Sequence, residues 1–170
     1  MPQKKTASAR QVIEEVRRLP TARVKVAVTD IDGVLRGKYL HKDKFLAAAE
    51  SGFGFCSVVF GWDANDAPYD NTVWTGWHTG FPDALVRLDL ASFRRVPWDG
   101  GVPFFLGDFV ESSGAPNPVC PRQLYKRVLG RAAKLGFEVL TGLEYEWFNF
   151  RETPQSMAAK HYVAPTPITP

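Results

Sequence analysis

Hydrophobic positions fall into blocks whose spacing changes along the chain, and each spacing predicts an element. Met1 to Thr6 is polar and expected to fray. After Ser8, Val12, Ile13, Val16 and Leu19 recur at helical intervals, predicting a short amphipathic helix that Pro20 ends. Val24-Lys25-Val26-Ala27-Val28-Thr29 is β-branched and alternating, which predicts a strand. It passes through Asp30-Ile31-Asp32-Gly33 into Val34-Leu35-Arg36-Gly37-Lys38-Tyr39-Leu40. Asp-Gly between two apolar-rich runs predicts a hairpin with a type I′ turn, which needs positive φ at both central residues. Lys42 to Glu50 is Ala-rich and predicts a second helix, closed by Ser51-Gly52.

Phe55 to Phe60 predicts the next strand. Gly61-Trp62-Asp63-Ala64-Asn65-Asp66-Ala67-Pro68-Tyr69-Asp70 is rich in turn residues and aromatics, the signature of a working loop. Asp83 to Asp89 and Val102 to Val110 predict two more strands, and Glu111 to Pro121 a connector at a domain boundary. Pro121 suits the first turn of a helix carrying Leu124, Val128, Ala132 and Leu135 on one face, with Gly136 as its stop. Phe137 to Phe150 predicts a strand that puts Glu144, Glu146 and Phe148 on one face and Leu143, Tyr145 and Trp147 on the other. The proline-punctuated tail, Arg151 to Pro170, predicts an extended loop.

Composition narrows the class. With 170 residues, 45% of them hydrophobic, and a net charge of +3, the chain can bury a core and is not a disordered segment. The length admits one domain of about 150 residues, or a small domain plus part of another. No apolar stretch approaches the roughly 20 residues of a membrane span, which predicts a soluble, cytoplasmic protein without a membrane partner. Cys56 and Cys120 are too few for a disulfide framework and read as plain thiols. Basic and aromatic residues form no stripe, so no nucleic-acid partner is expected. His41, His78 and His161 are scattered, and neither a P-loop nor a dinucleotide fingerprint is present.

Three groups of acids remain as candidates. Glu144 and Glu146, two apart on a predicted strand, would emerge about 6 to 7 Å apart. Like charges that close favour a hard cation such as Mg²⁺ or Mn²⁺ between them, or else mark a solvated strand face. Asp63 and Asp66 sit in the aromatic loop, as a site or as a capped surface turn. Asp30 and Asp32 in Val28-Thr29-Asp30-Ile31-Asp32-Gly33-Val34-Leu35 resemble the first motif of haloacid-dehalogenase-type phosphatases, which implies a nucleophile and an acid/base. The continuation as a second strand argues instead for a turn.

A broader resemblance rests on the order of several segments: Asp30 to Lys38, Gly61 to Asp66, Pro82 to Asp89 with Arg94-Arg95-Val96-Pro97-Trp98, Pro121-Arg122 opening a helix, and Gly142 to Phe148. Together they resemble the N-terminal portion of the glutamine synthetase family. The resemblance implies an α+β fold, with an N-terminal helix over 1–22, a β-grasp domain over 23–118 and the start of an α/β catalytic domain over 119–170. It implies an enzyme that joins ammonia or another amine to the γ-carboxylate of glutamate through γ-glutamyl phosphate, with ATP as co-substrate and Mg²⁺ or Mn²⁺ as cofactor. A homo-oligomer is implied too. On this resemblance Glu144 and Glu146 match the family's first two metal-binding glutamates. Asp63 matches the aspartate that reaches into a neighbouring subunit's site to bind and deprotonate ammonium, with Asp66 as a second candidate. The loop after Asp63 resembles the branch that uses polyamines or other amines. The family's remaining ligands would lie beyond Pro170, so the chain reads as a fragment or truncated paralogue that does not catalyse alone. The other classes in play are the phosphatase and a non-catalytic oligomerisation module.

Overall fold

The computed structural model describes residues 7–168; the fraying expected for Met1 to Thr6 lies outside them. The first helix, α1 (Ala9–Arg18), starts where Ser8 and Gln11 cap each other reciprocally, and it buries Val12 and Val16. Strands β1 (Arg23–Thr29) and β2 (Leu35–His41) form the expected antiparallel hairpin. Its turn is not type I′. Gly33 alone has positive φ, +83°, because the Asp30 carboxylate accepts the N–H groups of Asp32 and Val34 and supports a wider loop.

Helix α2 (Lys42–Ser51) ends at Gly52, whose φ of +82° suits a glycine. The strand expected over Phe55 to Phe60 is instead β3 (Phe53–Cys56) followed by a 3₁₀ turn over Ser57–Phe60. Alternation would put Val59 and Phe60 on opposite faces, whereas the turn buries both, with the Phe60 ring 4.6 Å from that of Phe109. The next strand, β4 (Asp83–Val96), runs past the expected end at Asp89 through a register shift between Asp89 and Arg94. Ser92 keeps the ladder satisfied there, its hydroxyl accepting the Leu106 N–H at 2.8 Å. Strand β5 (Val102–Phe109) then pairs antiparallel with β4 and parallel with β1.

The sheet order is β2-β1-β5-β4-β3, with α1 and α2 packed against it. The result is a mixed α+β domain of β-grasp type. Val24, Val26 and Val28 alternate onto the helix-covered face, where Phe45, Val86, Phe105 and Phe109 complete the core. Gly107 is required among them, since a Cβ there would lie 2.4 Å from Val86 Cγ1.

The chain divides into two compact units, 1–137 and 138–170, so helix α3 (Pro121–Lys134) lies with the sheet. Its predicted apolar face is exposed at Leu124, Val128 and Leu135. What holds α3 is charge: Arg122 binds Asp108 at 2.6 Å and Asp89 at 2.5 Å, and Lys126 binds the same two carboxylates at 2.6 and 3.2 Å. In the second unit the strand expected over Phe137 to Phe150 does not form. Alternation specifies a strand only where a neighbour can satisfy its backbone, and among the described residues none pairs with 138–149. The tail is not simply extended either, because Thr153 caps a short helix, α4 (Pro154–Ala159).

Candidate functional site

Asp30 closes β1 as a fully buried carboxylate. One oxygen takes the N–H groups of Asp32 and Val34 at 3.0 and 2.8 Å, and the other takes Arg36 Nε at 2.7 Å. Six residues on, Arg36 in β2 turns its guanidinium towards the aromatic loop. There Nη1 donates to Asp66 Oδ1 at 2.5 Å and Nη2 to the Asp63 carbonyl at 3.4 Å, while the guanidinium lies 4.8 Å from the centre of the Trp62 ring. A backbone bond from Ile31 N to Val59 O at 3.0 Å also ties the hairpin turn to the 3₁₀ turn that precedes the loop.

The loop itself folds around Asp63. Asp63 Oδ1 accepts the N–H groups of Asn65 and Ala67 at 2.8 and 3.0 Å, and Asp63 N donates back to Ala67 O at 3.0 Å. Asp66, in the left-handed region at φ +63°, donates its N–H to Asp63 O, and a Trp62–Pro68 bridge closes the base. The Ala67 and Asn65 N–H groups hold the Asp63 carboxyl below the usual carboxylate range, with the Asn65 side chain and the Arg36 charge assisting. Tyr69 is pushed up by desolvation and by the negative charges of Asp32, Asp63 and Asp30. The bond to Asp30, followed by that to Asp66, raises Arg36. Trp62 Nε1 is buried without an acceptor among the described residues, so contact with Arg36 rather than a hydrogen bond places the indole.

Chemically, Asp63 is a half-buried, firmly ionised carboxylate whose Oδ2 takes no hydrogen bond among the described residues. Such an oxygen suits a cationic N–H donor. Asp30 does not suit nucleophilic attack, because burial and three donors occupy both of its oxygens. The phosphatase reading is therefore corrected: Asp30 is a structural carboxylate rather than a nucleophile, and Asp32 meets it only through a backbone N–H.

Asp66 meets Arg36 through its carboxylate and Asp63 through its backbone carbonyl, while the Asp63 carboxylate caps the N–H groups of its own loop. Glu144 and Glu146 are both exposed in the irregular stretch of the second unit. Among the described residues no group of three or more His, Cys, Asp or Glu side chains is placed to hold a metal ion. Their carboxylates are the right chemistry for a hard cation but do not form a site by themselves. Sequence reading missed Arg36, Trp62 and the bracing role of Asp30. A buried Asp at a strand end with an Arg six positions on, across a hairpin, was the available signal.

No family model matches the chain. It is 43% identical over 158 residues to type-1 glutamine synthetase 2 of Dictyostelium discoideum, covering 93% of this chain and 30% of that protein. It is 31% identical over 146 residues to a glutamate–isopropylamine ligase of a Pseudomonas species, covering 85% of this chain and 32% of that one. Among solved structures, a crystal structure of a glutamine synthase homologue superposes with a TM-score of 0.58 at 25% identity, covering 84% of this chain and 36% of that one. The chain spans about a third of the length of these relatives.

Proposed function

The chain is related to the glutamine synthetase family over about a third of those proteins' length, and from that premise we propose that it carries the amine-binding aspartate of an ATP-dependent ligase acting on glutamate. The observation that carries this reading is Asp63, an ionised carboxylate held at Oδ1 by the Asn65 and Ala67 N–H groups with Oδ2 left open. An ammonium or alkylammonium ion presents N–H donors to such an oxygen. In the reaction proposed, ATP transfers its γ-phosphoryl group to the glutamate γ-carboxylate, releasing ADP. The ammonium gives a proton to water, the neutral amine attacks the acyl carbon, phosphate leaves as the C–O bond breaks, and the amide nitrogen releases its second proton to water. Asp63 binds and orients the cation. The hydrogen bonds that keep it ionised also make it a weak base, so anchoring is the part of the task they favour most.

Relation to a glutamine synthetase at 43% identity and to an isopropylamine ligase at 31% makes ammonia and a small alkylamine the two acceptors to compare. Glu144 and Glu146 would each offer a carboxylate to a divalent ion, which would neutralise phosphate charge when bound. With no third ligand beside them among the described residues, no step here is assigned to that ion. Soluble assembly as a homo-oligomer, with Asp63 serving a neighbouring subunit, belongs to the same proposal.

The test is glutamate-dependent ADP release by the intact protein, using ammonium, isopropylamine and a polyamine in turn. Release requiring ATP, glutamate and one of these amines is expected, and it should fall at least a hundredfold in Asp63→Asn. No release with any amine from a folded protein overturns the reading. The 170-residue chain alone is expected not to turn over, and turnover at ordinary enzyme rates would refute its assignment as one part of a site.

A further inference from the structure

We infer that Arg36 is the positioning residue of the Asp63 loop. One guanidinium, braced by Asp30, holds Asp66 Oδ1 and the Asp63 carbonyl, so that the Asp66 carboxylate is already paired with a cation while the Asp63 carboxylate accepts only backbone N–H groups. The inference rests on the reading of Asp63 as the cation-receiving group, but the loop geometry behind it does not.

All three nitrogens of Arg36 are engaged, each by a different acceptor in one of two segments: Nε by Asp30 at the end of β1, Nη1 by the loop's second acid and Nη2 by the loop's backbone. A planar fork is needed to reach three acceptors in three directions, and a lysine ammonium on a flexible stem does not reproduce it. Asp66 stands at φ +63°, in the left-handed region that is unfavourable for a residue with a Cβ. Two bonds hold it there, its carboxylate to Arg36 Nη1 and its N–H to the Asp63 carbonyl. Asp66 is thereby committed to a cation already present and is a poor receiver for a second. Asp63 directs only Oδ1 inward, to Asn65 and Ala67. Of the two acids the sequence offers in this loop, the structure assigns Asp63 to the incoming amine and Asp66 to the brace.

The charged and titratable groups beside Asp63 are Arg36 from β2 and, from its own loop, Asp66, whose N–H meets the Asp63 carbonyl, and Tyr69, which also senses Asp30 and Asp32 of the hairpin turn. Arg36 is the one cation in that set, so its removal has an electrostatic signature as well as a structural one. The experiment uses the isotope-labelled 170-residue chain and its Arg36→Gln, Arg36→Lys, Asp66→Asn and Asp63→Asn variants. Amide exchange at Asn65 and Ala67 reports the loop, exchange at Val26 and Phe105 reports the sheet, and the Asp63 side-chain carbon shift reports its titration. Expected in both Arg36 variants is at least tenfold faster exchange at Asn65 and Ala67 with Val26 and Phe105 unchanged. In Arg36→Gln the Asp63 midpoint should also move upward, because the one positive charge beside it is gone. Unchanged loop exchange and an unmoved midpoint overturn the inference, as does equal loss of protection across the sheet, which would make Arg36 a general fold residue. Ammonium chloride is then added. An ammonium-dependent shift at Asp63 that survives Asp66→Asn supports the assignment, and one that survives Asp63→Asn but not Asp66→Asn reverses it. Absence of any ammonium response beside the expected loop loosening would count against the ligase reading while leaving Arg36 as the residue that shapes the loop.

Discussion

Asp30→Asn tests the junction at its most buried point. The wild-type carboxylate is fully buried and accepts three hydrogen bonds, two from backbone N–H groups and one from Arg36. Asparagine can keep the two backbone bonds through its carbonyl oxygen, but they become neutral, and the atom facing Arg36 Nε becomes an NH₂ or is rotated away. A hydrogen bond to a charged group contributes about 1.5–3 kcal/mol and a neutral one about 1 kcal/mol. Losing the charged bond and weakening two others should cost about 2–3 kcal/mol. Asp30→Ala leaves three donors without an acceptor beside a guanidinium whose side chain is only 19% exposed, and should cost about 4–5 kcal/mol. With a urea slope of about 1–3 kcal/mol/M for a domain of this size, the Asn variant's midpoint should fall by roughly 1 M. A double-mutant cycle with Arg36→Met isolates the pair, and a coupling above about 1 kcal/mol is expected. An Asn variant within 0.5 kcal/mol of wild type, or a coupling near zero, would show that Asp30 is not the brace described.

Further consequences concern other parts of the chain. Gly107→Ala places a Cβ 2.4 Å from Val86 Cγ1 and should destabilise by about 1–3 kcal/mol in urea, with partial recovery when Val86→Ala is added. Arg122→Ala removes two of the four ion pairs that fix α3 to Asp89 and Asp108. Amide exchange in α3 should rise at least tenfold while β1 and β5 stay protected, and unchanged α3 exchange would contradict an electrostatic anchor. Glu152 is held down to about 2 from an ordinary 4.5, first by Lys160, then by Ser156 and the Thr166 N–H. Because its folded value is depressed, the order it confers is complete above pH 4.5 and is lost as pH falls towards 2. The Thr166 amide shift should follow that window, and titration at the ordinary value would refute the contact.

The sheet was legible where local chemistry and tertiary demand agree. Val24, Val26 and Val28 alternate because one face of β1 is covered by helices, and Ser8, Gly52 and Pro121 mark helix ends because capping is a short-range matter. Reading failed where a distant partner decides. Val59 and Phe60 leave the strand pattern because Phe109 and Trp74 receive the Phe60 ring, and β4 continues past Asp89 because Ser92 satisfies Leu106 across the sheet. Leu143 to Phe148 alternates like a strand, yet no described neighbour pairs with it.

The site divides in the same way. Asp63 and Asp66 stand out in sequence because a ten-residue aromatic loop with several acids is an unusual composition, but composition cannot rank two acids three positions apart. What ranks them is Arg36, 30 residues upstream of Asp66 on an edge strand, and the one local mark of that arginine is the aspartate six positions before it across the hairpin. Its role follows from the hairpin: Asp30 at the end of β1 and Arg36 near the start of β2 lie side by side only because the turn between them is wide, and the turn is wide because Asp30 itself accepts the Asp32 and Val34 N–H groups. One buried carboxylate therefore sets both the turn and the arginine, and the arginine sets the loop. The segment Asp30 to Lys38 and the segment Gly61 to Asp66, which sequence reading could treat only as two motifs in a fixed order, are a single physical unit. Substitutions in the first should be read out as changes at Asp63 in the second.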